Sequence, residues 1–356
     1  MPDCRHFHKL ILPLLILTAV PSADAYPQKS TAAYTVTDLG GLPGLSFEES
    51  DALAINDYGE IAGFSYTAGP DGSVEHAVVW ARDASGKYAI TDLGIIGEAT
   101  SINNAGEVAA GGFLIRPVTV NGSLVWYQDV NGDGVNDLAI PADPGADAIN
   151  NSMQYVGGSD FVQFDSHGNE MVTTLSDNGT GYAINDSGLV AGESGVTSQA
   201  TIWDIDGTGK IVSEETLSPL PGNTFSSALC IDAFGRVAGY SGHIVSPGAY
   251  LPRATLWQNG ATATDLGAPA NSGSFARGVS TVNGVLQVVG FYNHNGESAF
   301  LWKNGAMKDL NTLVSASGVA LSEAKAINSH GQIVGSARFT VGKNNVQIHG
   351  FLLTPN

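Results

Sequence analysis

Residues 54–63 read Ala-Ile-Asn-Asp-Tyr-Gly-Glu-Ile-Ala-Gly, and six relatives of this stretch recur along the 356-residue chain. The relatives are SINNAGEVAAG at 101–111, AINNSMQYVG at 148–157, AINDSGLVAG at 183–192, CIDAFGRVAG at 230–239, GVSTVNGVLQVVG at 278–290 and AINSHGQIVG at 326–335. The third residues of the seven copies, spaced by 47, 47, 35, 47, 48 and 48 residues, are Asn56, Asn103, Asn150, Asn185, Asp232, Ser280 and Asn328. Such regular self-similarity indicates a repeat architecture of seven units.

Each unit carries two further landmarks, which complete a pattern of four short β-strands. An apolar stretch that ends in an aromatic residue follows the motif (76–80 in the first unit), and a Thr-Asp-Leu-Gly element comes next (91–94). Between the first and second strands, Asn-Asp-x-Gly favours a tight hairpin, because Asn and Asp form turns through their side chains and Gly adopts positive φ. The sequence has no long amphipathic helix pattern, which excludes solenoids built from helix pairs.

The two ends of the chain predict how the array closes. Residues 34–40 form an unpaired fourth-strand element, and residues 349–354 form a third strand with no fourth strand after it. A ring lets the N-terminal strand complete the last blade and leaves no exposed sheet edge. We therefore predict one all-β domain over residues 34–356, a seven-bladed β-propeller of four-stranded blades closed by the N-terminal strand. An open β-solenoid is the alternative.

The same residues resemble a known repeat family. The pattern A-I-N-x-x-G-x-V-x-G, followed by H-A-F-L-W and D-L-G, is similar to the HAF-repeat family of extracellular proteins. The His-Ala-Phe triplet stands here as HAV at 76–78, SAF at 298–300 and HGF at 349–351. The resemblance covers essentially the whole chain after the leader. It implies secretion and a repeat architecture, and it brings no assigned activity.

The first 25 residues are typical of a secretory signal peptide. Arg5 and Lys9 precede an apolar run at 10–20, and Ala-Asp-Ala at 23–25 is a small-x-small cleavage site. We expect a secreted protein, extracellular or periplasmic, with a short linker over residues 26–33. The apolar run is about half of the roughly 20 residues that a bilayer requires. We therefore expect no membrane insertion.

Charge and cysteine content narrow the partners further. The formal net charge is −19, and a surface this acidic repels phosphate backbones and anionic lipid head groups. Nucleic acid is therefore excluded as a predicted partner. Cys4 leaves with the leader, so Cys230 alone remains and cannot form an internal disulfide. Because sister copies have Ala in its place, we interpret Cys230 as a small buried side chain.

The strongest chemical signal is DVNGDGVNDL at residues 129–138. The side-chain oxygens of Asp129, Asn131, Asp133 and Asp137, together with the carbonyl of Val135, are ligands of the kind that a calcium loop uses. The loop resembles the calcium-binding loops of FG-GAP propeller repeats and lacks the Glu that ends an EF-hand loop. We expect a structural calcium ion here. The alternative is an ordinary hairpin rich in Asn-Gly and Asp-Gly.

Variable loops on one face of a propeller usually carry its function. We expect such loops around the channel mouth at residues 65–75, 113–124, 240–253, 292–298 and 338–348. Their reactive or charged side chains, with Arg277 close to another loop, are Tyr66, Arg116, Tyr240, His243, Tyr250, Arg253, Tyr292, His294, Arg338 and Lys343. The cations predict an anion-binding pocket, for which a uronate polysaccharide is a fitting ligand. The alternative is a set of unrelated residues spread around the rim.

Other recurrent residues favour structural roles. All five tryptophans occupy the same predicted third-strand position, which predicts packing between or within blades rather than a carbohydrate platform. The list is Trp80, Trp126, Trp203, Trp257 and Trp302. His76 and His349 also recur at one strand position, and we interpret them as packing or hydrogen-bonding residues.

Three functional hypotheses follow. The first is a non-catalytic, monomeric, secreted propeller that binds an extracellular glycan or protein. The second is a polysaccharide lyase or glycosidase, which requires arginine, histidine and tyrosine side chains to converge at the channel mouth. Its candidate catalytic residues are His243, His294, Tyr240, Tyr292, Arg116 and Arg277. The third is a purely structural surface protein, which predicts no pocket. Motifs of serine hydrolases, zincins and nucleotide-binding enzymes do not occur in the sequence.

Overall fold

A computed structural model describes residues 32–45, 48–69, 72–176, 178–246, 249–258, 262–342 and 345–356. The predicted leader with Cys4, the linker up to residue 31, and Lys343 lie outside the described residues. Residues Ala32–Asn356 form one compact unit. Within the described part, no helix is both long and apolar enough to cross a bilayer.

Seven antiparallel four-stranded sheets stand in a ring, which confirms the predicted propeller. The chain starts with β1 (Tyr34–Asp38), which belongs to blade 7. Blade 1 contains β2 (Ser50–Ile55), β3 (Ile61–Gly69), β4 (Gly72–Arg82) and β5 (Tyr88–Ile96). Blade 2 contains β6 (Ala99–Ile102), β7 (Val108–Ala110), β8 (Phe113–Ile115) and β11 (Ala139–Pro141), with a separate hairpin of β9 (Val118–Val120) and β10 (Ser123–Val125).

The remaining blades follow the same order. Blade 3 contains β12 (Ala148–Ile149), β13 (Tyr155–Gly157), β14 (Asp160–Phe164) and β15 (Glu170–Thr174). Blade 4 contains β16 (Thr180–Ile184), β17 (Leu189–Ser194), β18 (Gln199–Ile205) and β19 (Ile211–Thr216). Blade 5 contains β20 (Phe225–Ile231), β21 (Val237–Ser246), β22 (Ala249–Gln258) and β23 (Thr262–Asp265). Blade 6 contains β24 (Gly273–Val282), β25 (Val285–Asn293), β26 (Glu297–Lys303) and β27 (Ala306–Asp309), followed by a 3-10 turn at Leu310–Thr312. Blade 7 contains β28 (Val319–Ile327), β29 (Ile333–Val341) and β30 (Asn345–Pro355).

The N-terminal strand closes the ring. Strand β1 pairs antiparallel with β30, from Tyr34 opposite Pro355 to Asp38 opposite Phe351. The Nδ1 atom of His349 lies 2.8 Å from Asp38 Oδ1 across this seam. The open solenoid is therefore excluded.

A histidine–aspartate pair explains two of the repeated landmarks. In blade 1, His76 Nδ1 lies 2.8 Å from Oδ2 of Asp92 on the neighbouring fourth strand. The same Asp92 accepts a hydrogen bond from the Gly94 N–H at 2.8 Å, so it also shapes the turn after the strand. The His of the triplet and the Asp of Asp-Leu-Gly are thus joined partners in blades 1 and 7, in agreement with their interpretation as hydrogen-bonding residues.

Where the third motif position is asparagine, its side chain tethers the blade to the next one. In blade 1, Asn56 Oδ1 accepts from the N–H groups of Tyr58 and Glu60, both at 3.0 Å, which forms the turn. Its Nδ2 donates to Glu60 Oε2 at 2.6 Å and to the main-chain carbonyl of Asn103 in blade 2 at 2.9 Å. The amide therefore uses both of its donors and both of its acceptor sites.

Five blade junctions carry this tether. The donors are Asn56, Asn103, Asn150, Asn185 and Asn328, each bonded at 2.9 or 3.0 Å to the carbonyl of the equivalent residue in the next blade. The bond from Asn328 reaches Asn56 and so joins the last blade to the first. We call this set the asparagine ring.

The two junctions whose motif lacks asparagine are bridged differently. Asp232 keeps the turn, since its Oδ1 accepts the N–H groups of Phe234 and Arg236 at 2.9 Å, but a carboxylate has no N–H to donate onward. Arg236 instead bonds both Asp232 and the hydroxyl of Thr281 in blade 6. From blade 6 to blade 7, the Arg277 guanidinium pairs with Glu323 at 2.9 Å.

The glycine that ends the motif is required by a close approach of two strands. At Gly63, a Cβ atom would lie 2.0 Å from the Asp51 carbonyl oxygen, and at Gly239 it would lie 2.0 Å from that of Ser227. Both first strands carry a β-bulge at this level, which brings their backbone toward the second strand. Any larger residue here would push the innermost strand away.

Four tryptophans occupy third strands as predicted, and the placement of the fifth was wrong. Trp80 packs in one cluster with Val334 and Leu352 of blade 7, and the buried Trp203 packs with Phe161 of blade 3. Trp126 lies after the β9–β10 hairpin, outside the strands, and its indole N–H donates to the Gly106 carbonyl at 2.7 Å. The β9–β10 hairpin is inserted directly before Trp126. Its last strand ends in an apolar run, which resembles a third strand in sequence. All five indoles are buried, as packing requires.

Strand residues make up more than half of each of the five segments predicted as loops. In blade 1, β3 and β4 remain paired from Ile61 opposite Trp80 to Gly69 opposite Gly72. Residues 240–253, 292–298 and 338–348 extend the second and third strands of blades 5, 6 and 7 in the same way. Residues 113–124 contain β8 and the β9–β10 hairpin. These segments differ between copies, but their β-branched and aromatic residues still favour strands.

We predict that Asn185→Asp lowers the free energy of unfolding by about 1 to 3 kcal/mol, because the buried Asp232 carbonyl loses its donor while the turn acceptor remains. Asn185 suits this test because the residue equivalent to Glu60 in its blade is Leu189. The new carboxylate therefore does not face an acidic side chain at that position. Asn304→Asp is the matched control, in an exposed hairpin turn. Urea denaturation measures both variants, and equal stability of the two would contradict the role of the ring.

Candidate binding site

The central channel has two different ends. At the end formed by the first-to-second turns, the lining of a cavity of about 310 Å³ includes one apolar side chain from the equivalent position of each blade and the residues of the asparagine ring. The apolar set is Ile55, Ile102, Ile149, Ile184, Ile231, Val279 and Ile327. Most of the polar groups here are already bonded between blades, for example the N–H of Asp57 to Asn104 Oδ1 at 2.9 Å. This end holds the ring together.

The opposite end, which carries the extended hairpins, holds a cavity of about 280 Å³ that we call the axial pocket. Its lining residues are Leu53, Thr100, Tyr182, Leu229, Arg277 and Lys325. Each of them stands three positions before the third motif residue of its own blade, which is Asp232 in blade 5, Ser280 in blade 6 and asparagine in the other four blades. The fold therefore delivers six side chains of five different types to one place from six equivalent positions.

A β-bulge accounts for this convergence. The strand register shifts between Ala52 and Ala54, so that Leu53 has no partner on the second strand. The same shift occurs at each of the other five lining residues. A bulge re-aims the side chain of the extra residue, and here it leaves that residue free to face the axis.

Ion pairs link three blades beside the axial pocket. Arg277 Nε lies 2.9 Å from Glu323 Oε1, and Lys325 Nζ lies 3.1 Å from Glu323 Oε2. Lys325 Nζ also lies 3.3 Å from Asp51 Oδ2, which connects blade 7 to blade 1. Both cations of the pocket are therefore already paired with carboxylates.

Asp51 is the most perturbed acid of this network. Burial raises its pKa to about 6, more strongly than the neighbouring Lys325 ammonium lowers it. Its Oδ1 atom is buried and has no hydrogen-bond partner among the residues that the structure describes. Burial also raises the pKa of Glu98, with the nearby Glu75 carboxylate adding to the effect. The pocket thus lies in a region where negative charge is already costly.

The six catalytic candidates do not form one constellation. His243 Nδ1 lies 3.0 Å from Asn223 Oδ1, His294 Nδ1 lies 3.1 Å from Ser272 Oγ, and the Tyr292 hydroxyl donates to Asp309 Oδ2 at 2.9 Å. Within the described ranges, no hydrogen bond or ion pair joins any two of the six. Tyr240 and Arg277 both contact Phe275. The Phe275 ring centroid is 5.0 Å from the Tyr240 centroid and 5.6 Å from the Arg277 guanidinium.

Three of the four arginines expected to bind an anion are paired internally, whereas the fourth, Arg338, is exposed. Arg116 Nε lies 3.6 Å from Glu107 Oε1, and Arg253 binds the Asp265 carboxylate at 3.1 Å, as Arg277 binds Glu323. Arg253 also donates to the main-chain carbonyls of Ala268, Pro269 and Ser272. Sequence alone does not reveal these partners, because Glu107, Asp265 and Glu323 lie 9, 12 and 46 positions from their arginines.

The predicted calcium loop lies between β10 and β11. Both oxygens of Asp129 accept main-chain N–H groups of residues 132–134, and Asp133 Oδ1 accepts the N–H of Val135 at 2.8 Å. Asp137 Oδ2 accepts the N–H of Val130 at 2.7 Å, so the acidic side chains turn into the loop. In the described part of the chain, no three His, Cys, Asp or Glu side chains meet as metal ligands would. Calcium binding by this loop stays a prediction.

Cys230 behaves as a structural residue. Burial raises the pKa of its thiol to about 12, and its Sγ lies 3.4 Å from the Ala238 carbonyl oxygen. A thiol with a raised pKa is a poor nucleophile.

Sequence reasoning passed over most of the axial pocket. Of its lining residues only Arg277 was a candidate, and Asp51 and Glu323 were not considered. A usable signal was present: three positions before the ring residue, the copies read Leu53, Thr100, Asp147, Tyr182, Leu229, Arg277 and Lys325, whereas the flanking positions are mostly small or aliphatic.

We predict that Asp51→Asn stabilises the protein at pH 8 by about 1 to 3 kcal/mol and leaves its stability at pH 4 unchanged. The raised pKa of Asp51 means that the fold favours its protonated form. Its contribution to stability is therefore present below the unfolded-state pKa near 4 and lost as the pH rises through about 6. Thermal unfolding between pH 4 and 8 measures the difference. The exposed Glu214→Gln is the control for the change in net charge, and equal pH profiles of the two variants would contradict the assignment.

The comparisons with known proteins give a distant likeness of overall shape. A protein of unknown function from Dyadobacter fermentans is similar at 9% identity and a TM-score of 0.39, over 90% of this chain and 99% of that chain. An acylaminoacyl peptidase from Pyrococcus horikoshii is similar at 9% identity and a TM-score of 0.34, over 85% of this chain and 46% of that one. No family model and no curated protein matches the chain.

Proposed function

We propose that this protein is a secreted, non-catalytic binding propeller whose axial pocket binds an extracellular glycan. A propeller fold supports a binding or scaffold role in general. The observation that carries the finer proposal is the axial pocket itself, in which six side chains of five different types converge from equivalent bulge positions. These residues differ between the blades, whereas the residues on either side of them are mostly small or aliphatic in every blade.

The chemistry of the pocket favours a ligand rich in hydroxyl groups. Thr100, Tyr182 and the carboxylates beside the pocket can accept hydrogen bonds, and Arg277 and Lys325 retain N–H groups to donate. A hydroxyl group can both donate and accept, so it suits such a mixed lining. A carboxylate ligand would lie close to Glu323 and Asp51, whose charges already compensate the two cations.

A binding role is also favoured over the lyase hypothesis. Elimination chemistry needs a base, an acid and a cation within reach of one sugar residue. The histidines and Tyr292 bind their own neighbours instead, as described above.

We predict that Tyr182→Ala weakens glycan binding at least about tenfold. The Tyr182 ring lines the axial pocket and is partly exposed to solvent, so its loss removes both a stacking surface and a hydroxyl group. The probes are hexasaccharides of β-1,4-glucan, β-1,3-glucan, β-1,4-xylan and α-1,4-galacturonan, with affinity measured by calorimetry.

Tyr58→Ala is the matched control. Tyr58 is 76% exposed on a first-to-second turn, at the other end of the channel, so its removal should leave affinity unchanged. Absence of binding to every probe, or equal affinity of wild type and Tyr182→Ala, would contradict the proposed function.

A further inference from the structure

A second cavity on the hairpin face lies between blades 5 and 6. Its volume is about 420 Å³, and its lining includes Tyr250, Pro252, Phe275, Phe291, Asn293 and Glu297. We call it the aromatic groove. It is formed by the outer parts of the extended β21–β22 and β25–β26 hairpins, together with the start of β24.

The aromatic rings of the groove hold one another in place. Phe275 and Phe291 are stacked with centroids 5.2 Å apart and planes at 17°. Phe225 packs edge-on against Tyr250 at 5.8 Å and against Tyr240 at 6.3 Å, and Tyr240 in turn meets Phe275. Tyr250 nevertheless remains 56% exposed. The groove therefore presents a preformed apolar surface to solvent.

The Arg277 side chain lies between the axial pocket and the aromatic groove. The Arg277 guanidinium lies 5.6 Å from the Phe275 ring centroid and 5.7 Å from that of Phe291. Arg277 itself lines the axial pocket. A single side chain thus borders both cavities, so an extended ligand in the axial pocket would continue over Phe275.

Charge decides what the groove can accept. Its polar rim consists of the exposed Asn293 amide and the exposed Glu297 carboxylate. The guanidinium groups of Arg253 and Arg277 are neutralised by Asp265 and Glu323. An anionic chain would meet the exposed Glu297 carboxylate, whereas a neutral hydroxylated ring would find one acceptor carboxylate, one amide and an apolar floor.

We infer that the aromatic groove is a sugar subsite, which stacks a pyranose ring of a neutral polysaccharide against Tyr250 and Phe275 while the adjoining sugars lie in the axial pocket. The inference rests on the proposed function and specifies its ligand class. It makes affinity depend on chain length, because a disaccharide fills the axial pocket alone and a hexasaccharide reaches the groove.

The test compares Tyr250→Ala with Tyr58→Ala on the full chain, using calorimetry with the neutral disaccharide and hexasaccharide that bind most tightly. Tyr250→Ala should lower hexasaccharide affinity by about five- to tenfold and leave disaccharide affinity unchanged. Asn293→Ala gives the same comparison without removal of a ring. The hexamer of α-1,4-galacturonan should bind more weakly than the neutral hexamers.

Wild-type hexasaccharide affinity in both groove variants would overturn the inference, and so would tighter binding of galacturonan. If Tyr182→Ala still loses affinity in that case, the proposed function stands and the groove assignment falls. If no probe binds the wild-type protein, both fall.

Discussion

The bond from an asparagine side chain to the main chain of the next blade is the interaction on which this structure depends. An asparagine amide carries two donors and two acceptor sites, so it can close its own turn and still reach a neighbour. Asn56 does both, and Asn328 repeats the contact across the junction between the last blade and the first. Where the motif has Asp232, Arg236 takes over the bridge to blade 6. These bonds fix neighbouring blades to one another close to the axis of the ring. A small displacement of one blade there would affect all seven sheets.

The repeated motif separates the residues that hold the blades together from those that line the axial pocket. The motif glycine lets the second strand approach the first, and the bulge at that level turns one residue out of the ladder toward the axis. Since this residue pairs with nothing on the second strand, it can be leucine in blade 1, arginine in blade 6 and lysine in blade 7. The axial pocket can therefore change its chemistry while the asparagine ring stays intact.

The repeat made most of the fold predictable, because its period is visible in one sequence and the unpaired strand at each end specifies closure. The tether between blades was not predictable in the same way. Within one copy Asn56 is only a turn former, and its second partner lies 47 residues away.

Trp126 and the long hairpins were misplaced because local composition cannot distinguish an inserted hairpin from a third strand, or a long hairpin from a loop. At the site, Arg277 of the axial pocket and Tyr250 of the aromatic groove were among the predicted channel-mouth residues. The carboxylates that pair with Arg116, Arg253 and Arg277 lie elsewhere in the sequence, so the prediction of an anion-binding pocket did not include them.

Closure by the N-terminal strand is the central claim, and a shortened chain tests it most directly. Strand β1 contributes the buried Tyr34 and five paired positions to blade 7. The measurement is the free energy of unfolding of residues 32–356 compared with residues 42–356, without and with a synthetic peptide of residues 32–41 added in trans. The account predicts a loss of about 3 kcal/mol or more in the shortened chain, and its recovery as the peptide saturates the open edge. Equal stability of the two chains, or no response to the peptide, would contradict it.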